Sequence, residues 1–403
     1  MPSAPLNGIR VICFSTGAVM PDFGKILGEL GADVIKIESM ENLDFMRTIG
    51  PNMNNIPGFN ESNRSQRSFG VNLKTEKGKE LVRELIAISD IVGENFRGGV
   101  MKSLGLDYDR VCQIKPDIIY ISSQGFGGGG PYSDYQAYGP MLAAASGVLY
   151  LWAHPDDPYP VGANVPIPDH MASKQAVVAA LAALDYRRRT GKGQFIDMSQ
   201  VEVAAALIGE SYLDYTINGR IPKPVGNRSL YAAPHGCYRC KGVDQWCAIS
   251  VFTNDEWQRF CDAIGNPGWT EDRKFTDTVS RLRNVDELDE LVERWTIERS
   301  PDEVMNTLQA AGIAAGAAQR SVDTINDPQL KWLNAIIEVD HPVAGRRLYP
   351  NVPFRMSNMA FPASRPAPLL GQHTEEICRE LLQMSPEKIG RLKEEKVLEA
   401  PAL

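Results

Sequence analysis

The chain has 403 residues, more than one ordinary core accommodates, so two domains are expected, each large enough to hold a concave site. Lys and Arg number 42 against 50 Asp and Glu, for a net charge of -8. That balance argues against a nucleic-acid binder and confines recognition of any phosphorylated ligand to a local basic patch.

From the N-terminus, short β-branched runs alternate with amphipathic segments, the pattern of βαβ units and a doubly wound α/β architecture. Strands are predicted at Ile9 to Phe14, Asp33 to Ile37, Asp90 to Glu94 and Ile118 to Ser122, and helices at Asp22 to Leu30, Thr75 to Ser89 and Tyr108 to Ile114. Thr75 reads as an N-cap and Gly31 as a helix stop. The first strand, turn and helix imitate a dinucleotide-binding unit. Its turn, Ser15-Thr16-Gly17-Ala18-Val19-Met20-Pro21, lacks the three spaced glycines that let backbone approach a pyrophosphate, which argues against NAD. The loop Gly125-Phe126-Gly127-Gly128-Gly129-Gly130-Pro131 lies beyond a strand end, where such sheets place ligands; it reads equally as a plain connector.

Next comes Asp169, after the Gly/Pro-rich stretch Gly162 to Pro168 and at the head of an Ala-rich segment that reads as one helix to Arg189, stopped at Gly191. An Asp there is either a cap or a reactive carboxylate. The helix dipole is expected to lower its pKa and keep it anionic. Arg187, Arg188 and Arg189 complement the other end of that helix, and Arg189-Thr190-Gly191-Lys192-Gly193 is a cap and turn, since a P-loop precedes a helix and has different spacing.

A strand at Gln194 to Met198 and a helix at Val201 to Asn218 follow. Pro222 to Asn227 then marks a boundary into a smaller α+β domain, with an alternating run at Cys237 to Val251 and helices near Asn254 to Ile264, Val285 to Ile297 and Pro301 to Ala311. A β-like stretch from Ile336 to Pro353 leads through a Pro-rich connector to a helix from Thr374.

Seven scattered Cys suit a reducing, cytoplasmic setting. Cys237 and Cys240 form a lone C-x-x-C without the second pair that a zinc site needs, so no metal is expected. Met1 to Gly8 has neither the basic nor the apolar region of a signal peptide, and the longest apolar stretch, Met141 to Trp152, is too short to span a bilayer, so no membrane is expected as a partner.

The order of motifs resembles the class III CoA-transferases, the family of formyl-CoA:oxalate and carnitine CoA-transferases. The matches are Leu6-Asn7-Gly8-Ile9-Arg10-Val11-Ile12, Leu30 to Glu38, Asn63-Arg64-Ser65-Gln66-Arg67-Ser68, Leu73-Lys74-Thr75 through Lys79, Glu94-Asn95-Phe96-Arg97-Gly98-Gly99, Arg189 to Gln194, and Pro368 to Thr374. The resemblance implies an interlocked dimer or a heteromer with a homologous subunit. Each chain would have a Rossmann-like large domain built from both chain ends (1–200 and 320–403), a linker helix at 201–226 and a small domain at 227–319. It also implies that Asp169 is the nucleophile and that Lys74, Asn95, Phe96, Arg97, Tyr138, Val71 and Ala18 bind coenzyme A. CoA enters as a thioester substrate, with a carboxylic acid as its partner and no prosthetic group.

Against the formyl-CoA enzymes, this chain has Ala18 for a Gln, Ser39 for an Arg and Gly139 for a Glu. It reads Ala233-Pro234-His235-Gly236-Cys237-Tyr238 where the oxalate enzymes carry a run of glycines. Oxalate is therefore disfavoured. A larger acid fits the room expected from Ala18 and Gly139, with succinyl-CoA as donor and an aryl-substituted dicarboxylate such as benzylsuccinate as acceptor. The α-methylacyl-CoA racemases share the fold but place a His where this chain reads Asp134-Tyr135-Gln136-Ala137-Tyr138, and no His occurs between Gly93 and Trp152. A third alternative is a CoA-binding subunit of a heteromeric transferase.

Overall fold

The computed structural model describes residues 4–158, 166–359 and 361–399, which leaves most of the Gly/Pro-rich stretch ahead of Asp169 outside the described residues. The chain divides into two compact units. The first comprises Met1–Leu149, Ala163–Arg220 and Leu333–Leu403; the second comprises Tyr150–Gly162 and Ile221–Trp332.

The first unit is built on a six-stranded sheet of β1 (Arg10–Phe14), β2 (Asp33–Glu38), β3 (Arg67–Gly70), β4 (Ile91–Glu94), β5 (Ile119–Gln124) and β6 (Gln194–Ser199), in the order β3-β2-β1-β4-β5-β6. Every neighbouring pair is parallel, as the βαβ pattern requires. Because residues alternate across a strand, Ile12, Phe14, Ile35 and Val92 feed one core with Leu81, Leu85 and Ile377. Val11, Cys13, Val34 and Ile91 feed the other with Phe23, Leu27 and Ala176. The order reverses between β1 and β4, so the crevice outside their C-terminal ends is the position where such sheets admit ligands.

The strand β3 is absent from the sequence-based prediction. Its four residues begin with Arg67 and Ser68, whose polar groups are matched inside the fold rather than in water. Arg67 donates to Asp33 at 2.9 Å through Nε, and the Ser68 hydroxyl donates to Glu38 at 2.7 Å. The far end of the chain covers its open edge: the Glu399 amide donates to the Gly70 carbonyl at 3.0 Å, and Val71 bridges Leu398.

The long helix spans Ile167–Thr190 and ends at Gly191, which adopts the left-handed conformation and donates its N–H to the Arg187 carbonyl. Ala172, Ala176 and Ala180 recur every fourth residue and are fully buried with Ala183, giving a smooth face that packs close to the helix Val19–Glu29. The predicted helix from Val201 to Asn218 is instead two helices, Gln200–Ala205 and Gly209–Asn218, separated by a 3-10 turn at Ala206–Ile208. Met141 to Trp152 likewise contains two short helices, Gly139–Ala145 and Val148–Leu151, parted at Gly147 where φ is +86°. No described helix is long and apolar enough to cross a membrane.

In the second unit β7 (His235–Arg239), β8 (Trp246–Ser250) and β9 (Ala314–Ala317) form an antiparallel sheet. Helices Asn254–Ala263, Val285–Thr296 and Pro301–Ala310 surround a core containing Trp257, Phe260, Leu288 and Val304. The β-like stretch near 340 is a hairpin of β10 (Ile336–His341) and β11 (Gly345–Pro350) within the first unit. All seven cysteines are free thiols.

Candidate active site

A cavity of about 550 Å³ opens at the reversal point of the parallel sheet, lined by the residues that leave β1 (Ser15 to Val19) and β4 (Asn95 to Gly98), with Gln124 and Gly125 from the end of β5. Asp169, Ala18, Asn95, Phe96, Arg97 and Tyr138 all line it. The fold thus brings together six of the eight residues singled out from sequence.

The other two lie elsewhere. The Val71 side chain is wholly buried in the core beside β3 and is not part of the cavity wall. Lys74 is not part of the cavity wall; its ammonium, on a side chain 72% exposed, pairs with Glu41 at 2.8 Å. Ser39, the residue that departs from the formyl-CoA pattern, donates instead to the Glu399 carboxylate at 3.1 Å. Of the Gly125 to Gly130 loop only Gly125 reaches the cavity, while the Gly128 amide is held by the Asp197 carboxylate at 3.0 and 3.1 Å.

Asp169 is the third residue of its helix. Pro166 occupies the N-cap position, so the carboxylate does not cap the helix. Its Oδ2 is buried without a hydrogen-bond partner. Burial pushes its pKa above the ordinary aspartate value, against opposition from its own backbone N–H and from His170. This reverses the direction expected from the helix dipole: desolvation of a charge outweighs the partial charge of a helix end. Gly139 explains the tight fit. A Cβ placed on it falls 3.2 Å from Asp169 Cγ, 2.8 Å from Pro166 Cβ and impossibly close to Asp169 Oδ2. The room expected at Gly139 for a larger acid is therefore filled by the Asp169 carboxylate itself.

Neighbouring groups fix the walls. Asn95 accepts from the Thr16 amide at 3.1 Å and donates to the Thr16 carbonyl at 2.8 Å, tying the β4 turn to the β1 turn. Behind them Asp44 accepts from the Gly17 and Met46 amides, each at 3.0 Å, and pairs with the buried Lys36 at 2.9 Å. Burial opposes its ionisation, but Lys36 and the Gly17 amide hold Asp44 below the ordinary range. This cluster, and with it Phe45 packed edge-on against Tyr138 at 5.7 Å, was missed from sequence. The available signal was position alone, since 39–48 is the loop that leaves β2 at the ligand-bearing edge.

On the helix side, Asp22 accepts from Ser173 at 2.8 Å and pairs with Lys25 at 2.5 Å, with His170 Nδ1 at 3.6 Å. Burial works against its charge, but His170, Lys25 and Ser173 together keep it well below the usual carboxylate range. Asp22 thereby ties the first turn of the Asp169 helix to the helix after β1. His170 itself is not part of the cavity wall, and among the described residues no His lines the cavity. Among the described residues, Arg97 is the one cation in the wall, is exposed and forms no ion pair.

Glu94, at the end of β4, is buried and accepts from the Phe96 amide at 2.8 Å. Burial pushes its pKa from 4.5 up to about 7, despite the Ser122 hydroxyl and the Phe96 N–H, with Asp197 adding to the rise. Between those values the folded chain keeps a proton that the unfolded chain has lost, so stability falls as pH rises from 4.5 through about 7. Glu94→Gln should flatten that fall. Thermal melts between about pH 5 and pH 8 are expected to show a wild-type decline larger than the variant's by roughly 1–3 kcal/mol; parallel curves would contradict this role.

A family model described as CoA-transferase family III matches residues 6–374. A probable CoA-transferase of Mycobacterium tuberculosis is 35% identical across 99% of this chain, which spans about half (51%) of that relative's length. The succinate–glutarate CoA-transferase of Agrobacterium fabrum is 30% identical, with 94% of this chain and 96% of that one covered. Among solved structures, a CAIB/BAIF family protein from Brucella suis superposes with a TM-score of 0.85 at 31% identity, covering 94% of this chain and 100% of that one. With the family model matched along nearly the whole length, on a fold shared with that solved structure, the chain belongs to CoA-transferase family III.

Proposed function

We propose that the protein transfers coenzyme A from an acyl-CoA donor to a carboxylic acid, with Asp169 as the covalent nucleophile. The observation that carries this reading is a buried carboxylate with an unpartnered oxygen, facing a cavity at the reversal point of the sheet. In the first step Asp169 attacks the donor thioester carbonyl, forming an acyl-aspartyl anhydride and releasing the CoA thiolate. The thiolate then attacks the aspartyl carbonyl, giving an aspartyl-CoA thioester and the free donor acid. The acceptor carboxylate repeats the two steps in reverse, returning CoA to the new acyl group and Asp169 to its carboxylate. No net proton is exchanged, which suits a site whose described walls offer no His. Exclusion of water by the buried setting of Asp169 protects the anhydride.

For CoA, Arg97 supplies the unpaired cation, and Ala18, Asn95 and Phe96 the surrounding wall. The Tyr138 phenol, 53% exposed beside Asp169, is placed to face the reacting acyl group. Succinyl-CoA is the proposed donor and a dicarboxylic acid the acceptor, short like glutarate or aryl-substituted. Room for it lies along Ala18, Phe45 and Tyr138, because Gly139 is taken up by Asp169.

The racemase alternative loses ground because no His among the described residues lines the cavity. A dimer, with itself or with a homologous subunit, is proposed because the Asp169 helix leaves Val178 and Leu181 exposed and the helices after β6 leave Leu207, Leu213 and Ile217 exposed. The test is to incubate the protein with succinyl-CoA and a panel of carboxylic acids and follow acyl exchange by mass spectrometry. Exchange onto at least one acid is expected. Epimerisation of a 2-methylacyl-CoA without exchange would establish the racemase instead, and CoA binding with neither activity would point to a scaffold subunit.

A further inference from the structure

Gly139 begins the helix Gly139–Ala145 and is followed by Pro140. Its φ lies outside the left-handed region, so backbone conformation does not call for glycine there. What calls for it is space. The Asp169 carboxylate sits where a side chain at 139 would begin, and Pro166 closes the notch from the other side. Inside that notch Oδ2 of Asp169 is buried and meets no donor.

We propose that Gly139 is a positioning residue for the nucleophile, its missing side chain forming the dry seat that holds the Asp169 carboxylate at the angle from which it attacks the thioester. The proposal rests on the assignment of Asp169 as nucleophile. In that seat Oδ2 is kept out of water and without a donor, which leaves the carboxylate less solvated and more nucleophilic than one in water. The atom that an added methyl displaces is the free end of a side chain, which can rotate away toward the cavity. The Pro166 ring, 2.8 Å from the same point, must give way as well, so a substitution at 139 moves the reacting group and slightly shifts the head of its helix.

Gly139→Ala is expected to lower kcat by about 100-fold, the scale of a misplacement near 1 Å, with CoA affinity measured by titration close to wild type and cooperative unfolding kept at a somewhat lower melting temperature. The acid limb of its pH–rate profile should also move to lower pH, because a carboxylate pushed into the cavity regains water. A residue before proline is itself restricted in helical backbone, which offers a rival reason for glycine. The double variant Gly139→Ala/Pro140→Ala, compared with Pro140→Ala alone, removes that rival: the same loss of kcat is expected between those two.

Restoration of the rate in the double variant would overturn the proposal, as would wild-type kcat in Gly139→Ala or a loss accompanied by loss of CoA binding. Asp169→Ala, measured alongside, separates the two claims. An active Asp169→Ala overturns the nucleophile and with it the seat, whereas an inactive Asp169→Ala beside a fully active Gly139→Ala overturns the seat alone.

Discussion

Asp169→Ala is expected to abolish CoA exchange, lowering kcat by on the order of 10⁴-fold or more, because the proposed route through a covalent aspartyl intermediate then has no nucleophile and no other carboxylate is free to replace it. Among the described residues the two other carboxylates in the cavity wall are both engaged: Glu38 with Arg47 at 2.8 Å and Asp44 with Lys36 at 2.9 Å. Asp169→Asn keeps the shape and should be as inactive, which distinguishes lost chemistry from lost packing. The pH dependence follows from the direction of the shift. Burial favours the neutral acid, so the fraction of reactive carboxylate falls off at a higher pH than for an ordinary aspartate, and kcat/KM should decline on its acid side above the usual aspartate range. A rate profile with no acid limb above that range would contradict the buried setting. Folding stability takes the opposite sign: the same shift makes the folded state relatively more stable at low pH and less so as pH rises through the folded value.

The largest stability effect is expected at Arg47. Its side chain is completely buried, gives two 2.8 Å bonds to the Glu38 carboxylate, donates to the Asn54 side chain and the Pro368 carbonyl, and lies 3.7 Å above the Phe59 ring. Arg47→Ala leaves Glu38 charged and largely uncompensated inside the protein, a loss of about 3–5 kcal/mol, read as a lower midpoint in urea with an unchanged slope. Arg47→Lys should recover little of it, since a lysine cannot make the two-pronged contact. A double variant that also replaces Glu38 by Gln should be less unstable than Arg47→Ala alone, because the orphaned charge is then removed; equal stability of the two would show that the loss is packing rather than charge. The pair also matters for the site. Arg47 anchors the loop whose Asp44 and Phe45 line the cavity, so this variant is expected to weaken CoA binding even at temperatures where it is folded.

Much of this design is legible in the sequence because it is written in periodicity. The apolar runs Val11 to Phe14 and Ile118 to Ile121, and the run Val34 to Ile37 broken only by Lys36, are long enough to be strands buried on both faces, and the alanines of the Asp169 helix announce close packing. The strand β3 escapes because half of its side chains are polar and find partners only in the folded state. The split of 201–218 escapes because no proline marks the 3-10 turn there.

At the site, position along the family motifs picked out six residues that the fold gathers around the cavity, whereas Val71 and Lys74 lie outside its wall, one side chain turned into the core and the other onto a surface glutamate. The shift direction at Asp169 was not legible either. A helix start is visible in sequence; the burial that overrides its dipole comes from Gly139 and Pro166, which only the tertiary structure brings to the carboxylate. Substitution of Gly for Glu at 139 reads as added room for substrate until the carboxylate is seen to occupy it.

The covalent intermediate is the most direct point of test. After incubation with succinyl-CoA alone and rapid acid quench, mass spectrometry of the digested protein should find CoA joined as a thioester to the peptide bearing Asp169, and the adduct should vanish when an acceptor acid is added before the quench. A protein that turns over succinyl-CoA and acid without any adduct, or that carries the adduct on a different residue, would contradict the account.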